Sequence, residues 1–116
     1  MGDMNSLSKQ DSYDKKIIKN FNKLQIKKFT SNNSLRFDAI DKIESRGYFD
    51  TAVKMGKNKE NTVPTLMNED SAHGNMRLDY IFVSEPLLSH VTKYSVIKTD
   101  ITNQASDHYP ITIELT

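Results

Sequence analysis

The chain has 116 residues, enough for one small domain and too few for a large multidomain enzyme. Charged residues make up 27% of it, and the formal net charge of +1 argues against a histone-like nucleic-acid binder. Hydrophobic residues, at 36%, fall in runs long enough to argue against disorder. There is no cysteine, which excludes disulfides, thiolate zinc sites and a cysteine nucleophile, and suits the cytoplasm.

No run approaches the roughly 18 apolar residues of a membrane helix. Met1-Gly2-Asp3-Met4-Asn5 has neither the basic start nor the apolar middle of a signal peptide.

In chain order, residues 1–12 read as a loop, dense in Gly, Asp, Asn and Ser. Asp11 or Ser12 is placed to cap a helix. Ile17, Phe21, Leu24 and Lys28 share one face of that helix, with Ile18 beside it. Lys15, Lys16, Lys19, Lys23 and Lys27 surround the rest. Such a lysine run reads either as a solvated helix face or as a phosphate-attracting rim. Residues 30–34 break the pattern, and Ser34 is placed to cap a second helix through Leu35, Phe37, Ala39, Ile40 and Ile43. Arg46 falls in its last turn, favoured by the helix dipole. Gly47 supplies the left-handed stop.

Residues 48–53 read as extended or turn. The stretch 54–75 is long and polar, with Val63-Pro64-Thr65-Leu66 as a short edge strand inside it. Residues 76–84 (Met-Arg-Leu-Asp-Tyr-Ile-Phe-Val-Ser) are rich in β-branched and aromatic types and predict one buried strand, ended by Glu85-Pro86. Residues 91–99 predict another strand, and Ile111–Leu115 alternates as a half-exposed final one.

Three clusters carry chemistry. In the first, Asp3 and Asn5 lie two apart, so an extended chain turns both to one face. An Asx turn explains them equally well. In the second, Asp79 interrupts an apolar run and needs a partner if buried. That partner is Arg77, a loop amide, or His108, whose tautomer it would then fix. In the third, Asp107 and His108 are adjacent and point opposite ways on an extended chain, so they can serve different ligands. Tyr13, His73 and Tyr109 are candidates for the wall of a pocket.

Taken in order, Gly2-Asp3-Met4-Asn5, then residues 77–84 (Arg-Leu-Asp-Tyr-Ile-Phe-Val-Ser), then residues 106–111 (Ser-Asp-His-Tyr-Pro-Ile) resemble the C-terminal motif series of the endonuclease/exonuclease/phosphatase superfamily. That group includes DNase I-like nucleases, inositol-phosphate phosphatases, sphingomyelinases and bacterial sugar-phosphate phosphatases. Residues 35–41 (Leu-Arg-Phe-Asp-Ala-Ile-Asp) and 47–50 (Gly-Tyr-Phe-Asp) also look like the connecting helix of bacterial members.

The resemblance implies a divalent-metal-dependent phosphoesterase, either phosphatase or nuclease. Residues 1–116 would form the C-terminal portion of one domain of that family. The class would be α+β, half of a four-layer α/β/β/α sandwich of the DNase I-like type, with a mostly antiparallel sheet and helices on one face. Asp3 is implied as general base or acid, and Asn5 as a ligand of a phosphate oxygen. Asp79 would be the hydrogen-bond partner of His108, and His108 would contact the scissile phosphate. Asp107 is implied as ligand to Mg²⁺ or Mn²⁺, ions that suit hard oxygen donors.

Family members also carry an Asn and a metal-binding Glu earlier in the chain. Glu44, Glu60 and Glu69 match no such motif, so an N-terminal half is expected to be absent and the isolated chain weakly active or inactive. The implied substrate is a sugar or inositol phosphate or a nucleic acid, with no membrane partner. An uncovered sheet face implies a homodimer or a complementing N-terminal half. The alternative function is a catalytically silent packing module, homo-oligomeric or complementing.

Overall fold

The computed structural model describes residues 2–65 and 75–116. It is a mixed α+β domain assembled from several small antiparallel strand pairs and short helices. Among the described residues these pairs do not close into a sandwich or barrel. No described helix is long and apolar enough to cross a membrane.

Strand β1 (Gly2–Asp3) leads into a loop with two 3-10 turns, Lys9–Asp11 and Lys15–Asn20, before helix α1 (Lys23–Phe29). The single helix expected over residues 17–28 is therefore split. Phe21 is extended and buried between the two pieces. Asn22 then starts α1 with a capping box, its side chain accepting the Gln25 N–H while the Gln25 side chain accepts the Asn22 N–H. An asparagine side chain that satisfies helix-end donors competes with continuing the helix through it. The caps differ from expectation as well: Ser8 and Asp14 cap the two 3-10 turns, while the Asp11 carboxylate is engaged by Arg77.

Ser34 is not a helix cap. Asn32 and Asn33 both take positive φ, 52° and 64°, and turn the chain into a hairpin of β2 (Thr30–Ser31) and β3 (Ser34–Leu35). Paired left-handed residues of this kind match the twist of a two-residue hairpin, and asparagine tolerates them. Helix α2 thus starts later, at Asp38–Ser45, burying Ile40 and ending before Gly47 at φ +88°. Asp38 sits in its first turn, where a carboxylate suits the helix dipole, and pairs with Arg36 at 3.0 Å.

Strand β4 (Tyr48–Asp50) runs into the one-turn helix α3 (Thr51–Lys54), capped by the Asp50 carboxylate. The expected edge strand at 63–66 reduces to a single bridge between Val63 and Met76, and Leu66 lies outside the described residues. The expected strand 76–84 is broken at Ile81. Its carbonyl accepts both the N–H and the hydroxyl of Thr51, at 3.1 and 2.8 Å. The two halves consequently pair with different partners: β5 (Asp79–Tyr80) with β1, and β6 (Phe82–Ser84) with β4.

Pro86 lies in the first turn of α4 (Glu85–Leu88), where its missing N–H costs nothing. Strands β7 (Val91–Val96) and β8 (Ile111–Leu115) form the longest antiparallel pair, joined by a connection that holds the short helix α5 (Thr102–Ala105). One core cluster comprises Leu7, Phe21, Phe29, Val63, Met76 and Leu78, with Ile17, Ile18 and Phe37 packed against it. Each fully buried large apolar side chain contributes about 1.5–3 kcal/mol relative to exposure.

Candidate active site

Asp3 and Asp79 are opposed residues of the β1–β5 pair. Two like charges facing each other across an antiparallel pair repel. His108 lies between them. Its Nδ1 is 2.8 Å from Asp79 Oδ2, and its Nε2 is 3.7 Å from Asp3 Oδ2. Geometry therefore makes His108, not Arg77, the partner of Asp79, and Nδ1 the nitrogen that carries a proton toward it.

The three side chains differ in access. Asp79 is buried, His108 is half-buried, and Asp3 is open to solvent at 40% of its side chain. Burial alone would lower the His108 pKa. The hydrogen bond donated to Asp79 and the charges of Asp79, Asp3 and Asp107 outweigh it, so the pKa is raised. One ligand atom from each of Asp3, Asp79 and His108 lies within 4.8 Å of the others, a spacing that can chelate a metal ion.

Asn5 follows Asp3 in a left-handed conformation, φ +45°, and its N–H donates to Asp3 Oδ1 at 2.9 Å. That is an Asx turn, and it leaves the exposed Asn5 side chain beside the cluster. Asp107 is exposed and stands outside the set of three. Its carboxylate receives only a long contact from the Ser106 hydroxyl, at 3.4 Å, and acts on His108 through its charge.

A second constellation, which sequence reasoning missed, centres on Arg77. Arg77 is 1% exposed and forks onto two buried carboxylates. Nε and Nη2 reach Asp11 at 3.0 and 2.8 Å; Nη1 and Nη2 reach Asp50 at 2.9 and 2.6 Å. The guanidinium also sits 4.5 Å from the centre of the Tyr80 ring. Burial works against the Arg77 charge, but the two acids more than restore it and hold its pKa up. Asp11 moves the other way. Desolvation outweighs what Arg77 and Asn58 return, and its pKa is raised. Nothing local in the sequence marks this trio, whose members are 27 and 66 residues apart.

Tyr13 belongs to this second network, its hydroxyl accepting the Arg77 N–H at 2.9 Å. It lines a polar cleft of about 250 Å³ together with Asp11, Asn58, Glu60, Asn61 and Arg77. Asp3, Asp79 and His108 do not line that cleft. Tyr109 is buried, its hydroxyl bonded to Asn103. His73 and Glu69 lie outside the described residues. Comparison with protein-family models gives no match, and comparison with curated proteins gives none either.

Proposed function

We propose that this chain carries part of the active site of a divalent-metal-dependent phosphoester hydrolase of the endonuclease/exonuclease/phosphatase type. The observation that carries the reading is the convergence of Asp3, Asp79 and His108, drawn from three motifs spread over the length of the chain. In this reading Asp79 holds the imidazole by Nδ1, and Nε2 is left to donate to a phosphoryl oxygen as negative charge builds on it. Asp3, the most exposed of the three, takes or returns the proton of the attacking water or leaving oxygen. Asn5 holds another phosphate oxygen.

The donor set suits Mg²⁺ or Mn²⁺. Asp3 has Oδ2 turned to the cluster while Oδ1 is occupied by the Asn5 N–H, and Asp107 is the further carboxylate that the resemblance implies. A bound ion would polarise the phosphoryl group. The cluster contains no glutamate, so activity of this chain alone is expected to be weak or absent. A sugar or inositol phosphate or a nucleic acid is the substrate class, and the cysteine-free composition favours the cytoplasm.

The second reading is a silent packing module that completes a half-sandwich with a second copy or a complementing chain. The exposed Tyr48 and Phe49 of β4, beside Leu87 of α4, favour it.

The deciding assay is Mn²⁺-dependent hydrolysis of an aryl phosphate monoester and diester, beside the Asp3→Ala/His108→Ala double variant. Hydrolysis that the double variant loses supports the catalytic reading. Equal rates for both proteins fit a half-site that lacks its N-terminal part, and Mn²⁺ affinity then separates the readings: a chain that binds no Mn²⁺ sinks the catalytic reading and leaves the packing module, which sedimentation would report as a dimer at micromolar concentration.

A further inference from the structure

We infer that Thr62 is the positioning residue that holds the Asp79 and His108 segments in register, so that the two side chains meet. Its catalytic consequence rests on the function proposed above; its geometry does not. Thr62 has no exposed surface. Its hydroxyl oxygen accepts the Leu78 N–H at 2.9 Å, and its carbonyl accepts the Tyr109 N–H at 2.8 Å. Its own N–H donates to the Met76 carbonyl at 2.9 Å. Leu78 directly precedes Asp79, and Tyr109 directly follows His108.

The same relay reaches the third segment. The Leu78 carbonyl accepts the Met4 N–H at 2.9 Å, and Met4 directly follows Asp3. Each of the three site side chains is therefore one residue from a backbone group in a continuous path, Met4 to Leu78 to Thr62 to Tyr109. The side chain is needed at one link. Val63 and Met76 exchange backbone bonds at 3.1 Å in an isolated bridge, and the ladder goes no further. The Leu78 N–H is beyond its reach, and the Thr62 hydroxyl supplies the acceptor instead. Thr65 adds a second anchor, its hydroxyl donating to the Ser106 carbonyl at 2.5 Å, while the Ser106 hydroxyl accepts the His108 N–H at 3.1 Å.

Thr62→Val keeps the shape and removes the acceptor, whereas Thr62→Ser keeps it. Both are compared with Asp79→Ala by NMR on the isotope-labelled chain at one pH. Two signals are read: amide exchange at Leu78 and Tyr109, and the hydrogen-bonded Nδ1 ring proton of His108. In Thr62→Val, Leu78 is expected to exchange at least about tenfold faster, Tyr109 to stay protected, and the ring proton to be lost as in Asp79→Ala. Thr62→Ser should keep both amides protected and retain the ring proton. A folded Thr62→Val that keeps the ring proton overturns the inference. If Thr62→Val does not fold, loss of the ring proton in Thr62→Ser overturns it and retention supports it. Neither signal requires turnover, so a wild-type chain with the expected NMR pattern that neither turns over nor binds Mn²⁺ removes the hydrolase reading and leaves the role of Thr62 standing.

Discussion

Replacing Arg77 by methionine tests whether the buried charge trio holds the fold. The perturbation removes four charge-assisted hydrogen bonds and leaves Asp11 and Asp50 facing each other with side chains 3% and 1% exposed. Removing one partner of a buried ion pair costs about 3–5 kcal/mol, because the remaining charge has neither water nor counterion. A small domain has only about 5–15 kcal/mol in total. With a urea slope of about 1.5 kcal/mol/M, the unfolding midpoint falls by about 2–3 M, read by circular dichroism. Asp11→Asn is the internal control. It keeps a bonding oxygen for Arg77, leaves the Arg77–Asp50 pair balanced, and removes a carboxylate whose charged form burial disfavours. Its cost should stay below about 1 kcal/mol. If Arg77→Met moves the midpoint no further than Asp11→Asn does, the trio is not the anchor described above.

Two further outcomes follow from other parts of the molecule. His108 should titrate above its ordinary value of 6.5, and Asp79→Asn should bring it down, both read from ring resonances by NMR. A pKa raised by folding means that the protonated form stabilises the native state. That contribution is complete below about pH 6.5 and is lost as pH rises through the folded value. The gap in urea midpoint between wild type and Asp79→Asn should therefore narrow as pH is raised above neutrality. At the other side of the core, Asn22→Ala removes half of the capping box of α1 and should cost about 1 kcal/mol in a thermal melt, with the His108 ring signals unmoved.

Where local chemistry decides, the sequence was readable. Gly47 stops α2 in a left-handed conformation, and the alternation of Ile111–Leu115 is a strand. The closeness of Asp3, Asp79 and His108 is long-range, and it was anticipated only through the order of three motifs. Where a distant partner decides, the sequence was not readable. The apolar run 76–84 looks like one strand because nothing in it announces that Thr51 will take the Ile81 carbonyl and divide it. Arg77 looked available to Asp79 because the two are near in sequence, yet its partners come from positions 11 and 50. The first helix failed for a subtler reason: its apolar spacing is helical, but Asn22 offers a start signal in the middle of the pattern, and local capping won. Asp107 was read as a metal ligand from its place beside His108 and from the resemblance, whereas the residues that lie close enough together to hold an ion are Asp3, Asp79 and His108.

The run Arg77-Leu78-Asp79-Tyr80 is buried at every position. Arg77 serves the charge trio, Leu78 the apolar core and the Thr62 hydroxyl, Asp79 the imidazole, and the Tyr80 hydroxyl the Ser6 carbonyl. Four neighbouring codons thus answer to four separate demands, with no surface position among them to absorb drift. Selection for abundance and selection for chemistry would act there on the same letters. A lineage that lost the reaction but kept the fold would still be held to most of this tetrapeptide, and its persistence in a descendant would say little about whether catalysis survived.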